Sequence, residues 1–194
     1  KRVMNIFGQH SEEDIAKGIR KGDNRAMRHF YAQYGGLLAA ACSRYVNNDD
    51  DVKDLMQDAM VNIIQNIDNF TYKGKGSLRA WATRIVVNQA LNFVKSQKRF
   101  HDTFADKDLG NLSLADNEEP DISDVPAEVI HRLISQLPDG YRTVFNLFAI
   151  EGKSHKEIAA LLGIKADTSA SQFFRAKNIL AKQIENYKRN KNHN

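Results

Sequence analysis

The 194-residue chain is predicted to be all-α, with two small helical domains joined by an acidic linker. Two apolar repeats and one segregation of charge carry that expectation. Val52, Leu55, Met56, Ala59, Met60, Ile63, Ile64 and Ile67 recur at helical spacing, as do Leu78, Trp81, Ala82, Ile85, Val86, Ala90 and Phe93, whereas alternating strand patterns do not recur. Charge divides by position: 1–100 holds 16 basic and 10 acidic residues, 101–126 one and eight, and 127–194 11 and six, so +6, −7 and +5 make up the formal +4. Two cationic bodies flanking an anionic strap point to two nucleic-acid contacts separated by a segment that the same polyanion repels.

The first helix opens at Ser11, with Asp14 three residues on as in a capping box, and runs through Ile19. Gly22-Asp23 reads as a turn, with Asp23 capping a second helix to about Tyr34. Gly35-Gly36 is expected to bend or break that helix before LLAAACSRYV continues. NNDDD, from Asn47 to Asp51, marks the next turn, and its carboxylates suit the N-terminus of the third helix. Opposite the apolar stripe of this third helix stand Asp54, Gln57, Asp58, Asn62 and Gln65. So few cations in a basic domain suit a protein partner or plain solvent better than DNA.

The loop TYKGKGS brings Phe70 and Tyr72 beside Lys73 and Lys75, and aromatics among cations in a flexible loop can capture an unstacked base. Its Gly74-Lys75-Gly76-Ser77 lacks the GxxxxGK spacing of a phosphate-cradling loop. A fourth helix is predicted over 76–99. Its apolar stripe is core, while Asn88, Asn92 and Lys95 lie on another side that ends in Lys98 and Arg99. Amides can read base edges and cations can neutralise phosphates, so this side suits a polyanion.

Periodicity disappears over 101–126, where Asp, Glu, Asn, Gly and Pro accumulate, as in an extended linker. Domains are therefore expected at 1–100 and 127–194. Pro126 suits the first turn of a helix ending near Leu137, and Pro138-Asp139-Gly140 separates it from a helix over YRTVFNLFAI. Ser154 and Glu157 form a capping box for KEIAALL, Gly163 ends that helix, and another begins near Asp167 or Thr168. This is helix-turn-helix spacing. Ala159 is small where two helices meet, and Phe173, Ala176 and Leu180 fasten the second helix to its domain. Gln172, Phe174, Arg175 and Lys177 belong to that second helix, which is shaped to enter a major groove. The closing YKRNKNHN adds nonspecific attraction to phosphate.

Hydrophobic residues make up 42% of the chain, yet no apolar run approaches the roughly 18 to 20 residues of a membrane span. KRVMNIFGQH lacks the apolar stretch of a secretory signal, so a cytoplasmic location is expected. Cys42 is the single cysteine, which excludes an internal disulfide and makes a buried thiol the expectation. No metal or cofactor is expected. The carboxylates between Asp49 and Asp58 lack the glycine and terminal glutamate of a calcium loop, and His10, His29, His101, His131, His155 and His193 show no ligand spacing. A metal-dependent hydrolase is thereby disfavoured.

Read together, the two halves resemble a bacterial sigma factor of the extracytoplasmic-function group, which retains the second and fourth conserved sigma regions. DVKDLMQDAMVNIIQNIDNF is similar to the segment that docks on the β′ clamp helices of core RNA polymerase, with Asp54, Gln57 and Asp58 at its polar positions. GSLRAWATRIVVNQALNFVKSQKR is similar to the segment that recognises and melts the minus-ten element, where the resemblance puts Asn88 and Asn92 near an extruded base. The stretch from Leu137 to Leu180 resembles the fourth region, which reads the minus-thirty-five element and packs on the polymerase β flap. Ser171, Phe174 and Arg175 align with its DNA-facing positions, and His155, Lys156, Gln172 and Lys177 join the same candidate surface. The chain departs from the family in having Ser169 and Ala170 after the threonine and Gln172 for a frequent arginine, which leaves fewer cations toward the groove.

The resemblance implies a promoter-specificity subunit rather than an enzyme, with promoter DNA and core polymerase as partners. It also implies an anti-sigma factor, an acidic linker threading positively charged polymerase channels, and no membrane insertion. Extruding a base costs a few kcal/mol, which the roughly 1 to 3 kcal/mol of each good base contact can offset. A stand-alone helix-turn-helix regulator is the alternative. It accounts for Ser154 to Leu180 but gives no purpose to the polar face of the third helix or to the acidic strap.

Overall fold

The computed structural model describes residues 11–97, 100, 102 and 122–191. Among the described residues all regular structure is helical. Two compact units are formed, Lys1–Ala90 and Leu91–Asn194, with the divide inside a helix.

In the first unit, α1 (Glu12–Arg20) starts where Ser11 Oγ accepts the Asp14 N–H, with three carboxylates in its first turn and Lys17 and Arg20 in its last. Ile15, Ala16 and Ile19 form its buried face. α2 (Asn24–Ser43) follows the Asp23 cap and, contrary to the expected bend, runs unbroken through Gly35-Gly36. Gly35 is buried beneath the Tyr31 ring, and buried Tyr34 and Leu38 anchor the helix on both sides, so tertiary packing overrides the weak helix propensity of glycine.

Asn48 caps α3 (Asp49–Gln65) by accepting the Asp50 and Asp51 N–H groups. Val52, Met56, Ala59 and Ile63 lie buried along one side of it, each large side chain worth about 1.5 to 3 kcal/mol of transfer free energy. A 3-10 turn (Ile67–Asn69) leads toward α4 (Ser77–Ser96). The buried side of α4 is wider than the single stripe expected, because Val87, Leu91 and Val94 are buried as well as Leu78, Ala82, Val86 and Ala90.

In the second unit, Pro126 precedes α5 (Ala127–Ser135), which stops two residues short of the expected Leu137. α6 (Asp139–Phe145) then loosens into a π turn over Asn146–Ile150, and α7 (His155–Leu162) and α8 (Ala166–Lys191) follow. Val125, Leu133, Leu137, Ala176, Leu180 and Ile184 form one apolar cluster, with α8 as its spine. Arg142 is buried at the α5–α6 corner, donating to Leu137 O at 3.0 Å, to Ser135 O at 3.3 Å and to Asp139 Oδ1 at 2.8 Å.

Candidate nucleic-acid interface

The segment before α4 is a closed turn. Ser77 Oγ accepts from the Lys73 N–H at 3.2 Å and donates to Gly74 O at 2.6 Å, while Gly76 at φ +92° supplies a backbone conformation that side-chain-bearing residues rarely adopt. Tyr72, Lys73 and Lys75 are exposed on this turn. Phe70 is not. Its ring is only 4% exposed and lies 5.4 Å from the Trp81 ring, so Phe70 is part of the floor beneath the loop and offers no free face to a base.

Asn88 and Asn92 are both exposed on α4, one turn apart, and Lys95 belongs to its last turn. Lys98 and Arg99 lie outside the described residues. Arg84, also exposed, precedes Asn88 by one turn and extends the same face. Its i, i+4, i+8 relation to the two asparagines was available in the sequence, but Arg84 sits amid the apolar repeat and away from the basic cluster at the helix end. On α3, Asp54, Gln57 and Asp58 are exposed on one side, opposite the buried Met56, Ala59 and Ile63.

The helix-turn-helix is built as its sequence suggests. Ser154 accepts the Glu157 N–H, the Glu157 carboxylate accepts the Ser154 N–H at 2.8 Å, and Gly163 closes α7 at φ +70° in the left-handed region. The hydrogen bonds from Ser154 hold the Glu157 carboxyl below its ordinary value. Lys156 is exposed; Ser171, Phe174, Arg175 and Lys177 are half-buried. Ser171 Oγ donates to Thr168 O at 3.0 Å, and Arg175 Nη1 donates to the Tyr141 hydroxyl at 3.2 Å.

Two residues expected at the groove are turned elsewhere. Gln172 is only 5% exposed, because Ser169, Gln172, Ala176, Leu180 and Ile184 share the buried stripe of α8. His155 is half-buried, stacked on Phe148 and hydrogen-bonded to buried Ser169, so its ring joins the two helices instead of facing DNA. Among the described residues no group of three His, Cys, Asp or Glu side chains is placed to hold a metal ion, and no helix is long and apolar enough to cross a membrane.

Residues 30–100 match Sigma-70 region 2 and residues 127–180 match Sigma-70, region 4. The chain is 27% identical to the ECF RNA polymerase sigma-E factor of Escherichia coli K12, covering 91% of this chain and 96% of that protein. It is 26% identical to the RNA polymerase sigma-H factor of Pseudomonas aeruginosa, covering 93% and 97%. The chain belongs to the sigma-70 family, in its extracytoplasmic-function group. Among solved structures it is similar to CnrH in complex with the cytosolic domain of CnrY, at 25% identity over 88% of this chain and 95% of that one, with a TM-score of 0.46. As a sigma factor it is a promoter-specificity subunit of RNA polymerase, an initiation factor and not an enzyme. Core RNA polymerase and promoter DNA are its partners.

Proposed function

We propose that this sigma factor reads the minus-ten element with the exposed face of α4 and the turn before it, and assists melting there by capturing an extruded base. The observation that carries this reading is the pairing of exposed Asn88 and Asn92 on α4 with exposed Tyr72, Lys73 and Lys75 on the preceding turn. Asparagine amides can pair with a base edge, Tyr72 can stack on it, and the lysines and Arg84 can neutralise the flanking phosphates. Sealed inside the core, the two asparagines would have excluded this role.

The remaining surfaces divide in the same way. Asp54, Gln57 and Asp58 dock on the β′ clamp helices, while the N-terminal part of α8, with Ser171, Phe174 and Arg175, reads the minus-thirty-five element in a major groove as its domain meets the β flap. Few cations stand on that part of α8, so shape and apolar contact carry more of its sequence preference than charge. Region 2 occupies 1–100 and region 4 occupies 127–194, joined by the acidic segment 101–126. The protein acts in the cytoplasm, where an anti-sigma factor holds it until release.

Reconstitution tests this reading. Purified chain is added to core polymerase, promoters are selected from genomic DNA, and initiation is followed on a selected template. Specific initiation with permanganate-reactive thymines at minus ten is the expected outcome, and Asn88→Ala should reduce that reactivity more than closed-complex binding. Equal loss of both would remove the base-capture role. DNA binding without core polymerase, and no specific initiation with it, would favour a stand-alone regulator.

A further inference from the structure

We infer that α1, which precedes the segment matching region 2, is a positioning strut: Glu12 and Arg20 clamp the two ends of the loop that carries Tyr72, Lys73 and Lys75. Glu12 Oε2 accepts the Gly76 N–H at 2.8 Å and the Leu78 N–H at 3.1 Å, which places a carboxylate at the N-terminus of α4, where unpaired donors and the helix dipole favour negative charge. The other oxygen is held too. Glu12 Oε1 accepts from the Tyr34 hydroxyl at 2.9 Å, and burial together with this bond pushes the Tyr34 phenol up to about 12.

At the opposite end, Arg20 Nη2 donates to Ile67 O at 3.2 Å and to Phe70 O, and its Nε lies 3.7 Å from the Asp68 carboxylate. Glu12 and Arg20 are eight positions apart on one nine-residue helix, so they present to the same side about two turns from each other. That helix is itself fixed by buried Ile15, Ala16 and Ile19. Both ends of the segment from Thr71 to Lys75 are thus tied to one rigid element, although its tip keeps exposed side chains. A loop held in one shape before DNA arrives loses less conformational freedom on capture, and binds tighter for the same contacts. Neither residue needs to touch DNA.

The inference rests on the base-capture reading, and the experiment separates the two. Holoenzyme is assembled from core polymerase and full-length chain carrying Arg20→Met, Arg20→Lys, Glu12→Gln or Asn88→Ala. The probe is a labelled single-stranded oligonucleotide bearing the non-template minus-ten segment of a promoter selected by the holoenzyme. Core-polymerase affinity and the thermal midpoint of the free chain are measured in parallel. Arg20→Met should weaken oligonucleotide binding roughly tenfold, the factor expected when a charge-assisted hydrogen bond no longer holds the loop, with core affinity unchanged. Arg20→Lys should recover part of that loss. Glu12→Gln, which keeps the side-chain shape, should weaken oligonucleotide binding too and decides the matter if Arg20→Met does not fold. Unchanged binding, or a loss that follows core affinity and thermal midpoint in step, overturns the strut. Loss in Asn88→Ala with none in the α1 variants overturns the strut alone; no loss in any variant overturns base capture with it.

Discussion

His155 stacks flat on Phe148, with ring centroids 4.4 Å apart and planes 14° from parallel, while its Nδ1 lies 3.0 Å from the Ser169 hydroxyl. Phe173 packs against the same Phe148 ring, at 4.4 Å between centroids. The first residue of α7 is therefore bonded to the N-terminal turns of α8 through an aromatic stack and a hydrogen bond. His155→Ala should lower the stability of the second unit by about 1 to 2 kcal/mol, the sum of one hydrogen bond and one ring contact. Denaturant unfolding would show the loss. Lys156→Ala, at an exposed neighbour, should instead leave stability alone and flatten the salt dependence of DNA binding by about one unit of slope.

The same motif carries a pH dependence. Glu157 has its carboxyl held below the ordinary 4.5 by hydrogen bonds from the Ser154 side chain and backbone. A carboxyl depressed in the folded state contributes stability above its unfolded value and loses it as pH falls through the folded one. The α7 N-terminus should accordingly fray below about pH 4.5, and the protection of the Glu157 and Ile158 amides, measured against the intrinsic exchange rate at each pH, should fall there. Glu157→Gln should remove this acid-side change without altering exchange elsewhere in the unit.

Much of this architecture was legible from spacing alone, because caps and helical periods are local. Ser11, Asn48, the Ser154–Glu157 box and Gly163 all sit where the chain turns. What local pattern did not reveal was set by distant partners. Gly35-Gly36 reads as a break until Tyr34 and Leu38 are buried on either side of it, and Phe70 reads as a loop aromatic until Trp81 packs on it. Gln172 shows a different failure. Its spacing with Ala176, Leu180 and Ile184 placed it inside, its polarity suggested outside, and spacing prevailed. The grip of α1 on the loop joins residues 47 to 66 positions apart in sequence, so no motif announces it.

Cys42 offers a probe of the first unit. It is fully buried, and burial pushes its thiol up to about 11, so near neutrality it is both uncharged and out of reach of a disulfide reagent. Folded protein should release no thionitrobenzoate from Ellman's reagent at pH 8, and one equivalent per chain should appear on unfolding. The rate at low denaturant then reports the opening of the unit. Rapid labelling of the native chain would contradict the packing around α2.

The approach of α1 to α2 is tight enough to predict a steric failure. A Cβ added at Gly18 would stand 2.5 Å from the Ala26 Cβ, a separation that real side chains essentially never show and that neither backbone relieves cheaply. Gly18→Ala should therefore push α1 off α2, destabilising the unit by about 1 to 3 kcal/mol as overpacking does elsewhere. Gly18→Ala together with Ala26→Gly should recover most of the loss, which a thermal melt of the four-member cycle would reveal.

Charge and hydrogen bonding on α4 should separate in salt titrations. Arg84, Asn88 and Asn92 are exposed at successive turns, but only the arginine can displace condensed counterions from a strand. Arg84→Ala should lower the slope of log affinity against log salt by about 0.7 for the single-stranded minus-ten segment. Asn88→Ala should cost about 1 to 3 kcal/mol at every salt concentration and leave the slope unchanged, because an amide reads a base edge without releasing an ion. A slope altered by Asn88→Ala would place that side chain on the backbone of the strand, and a loss confined to one base at one position would place it on that base.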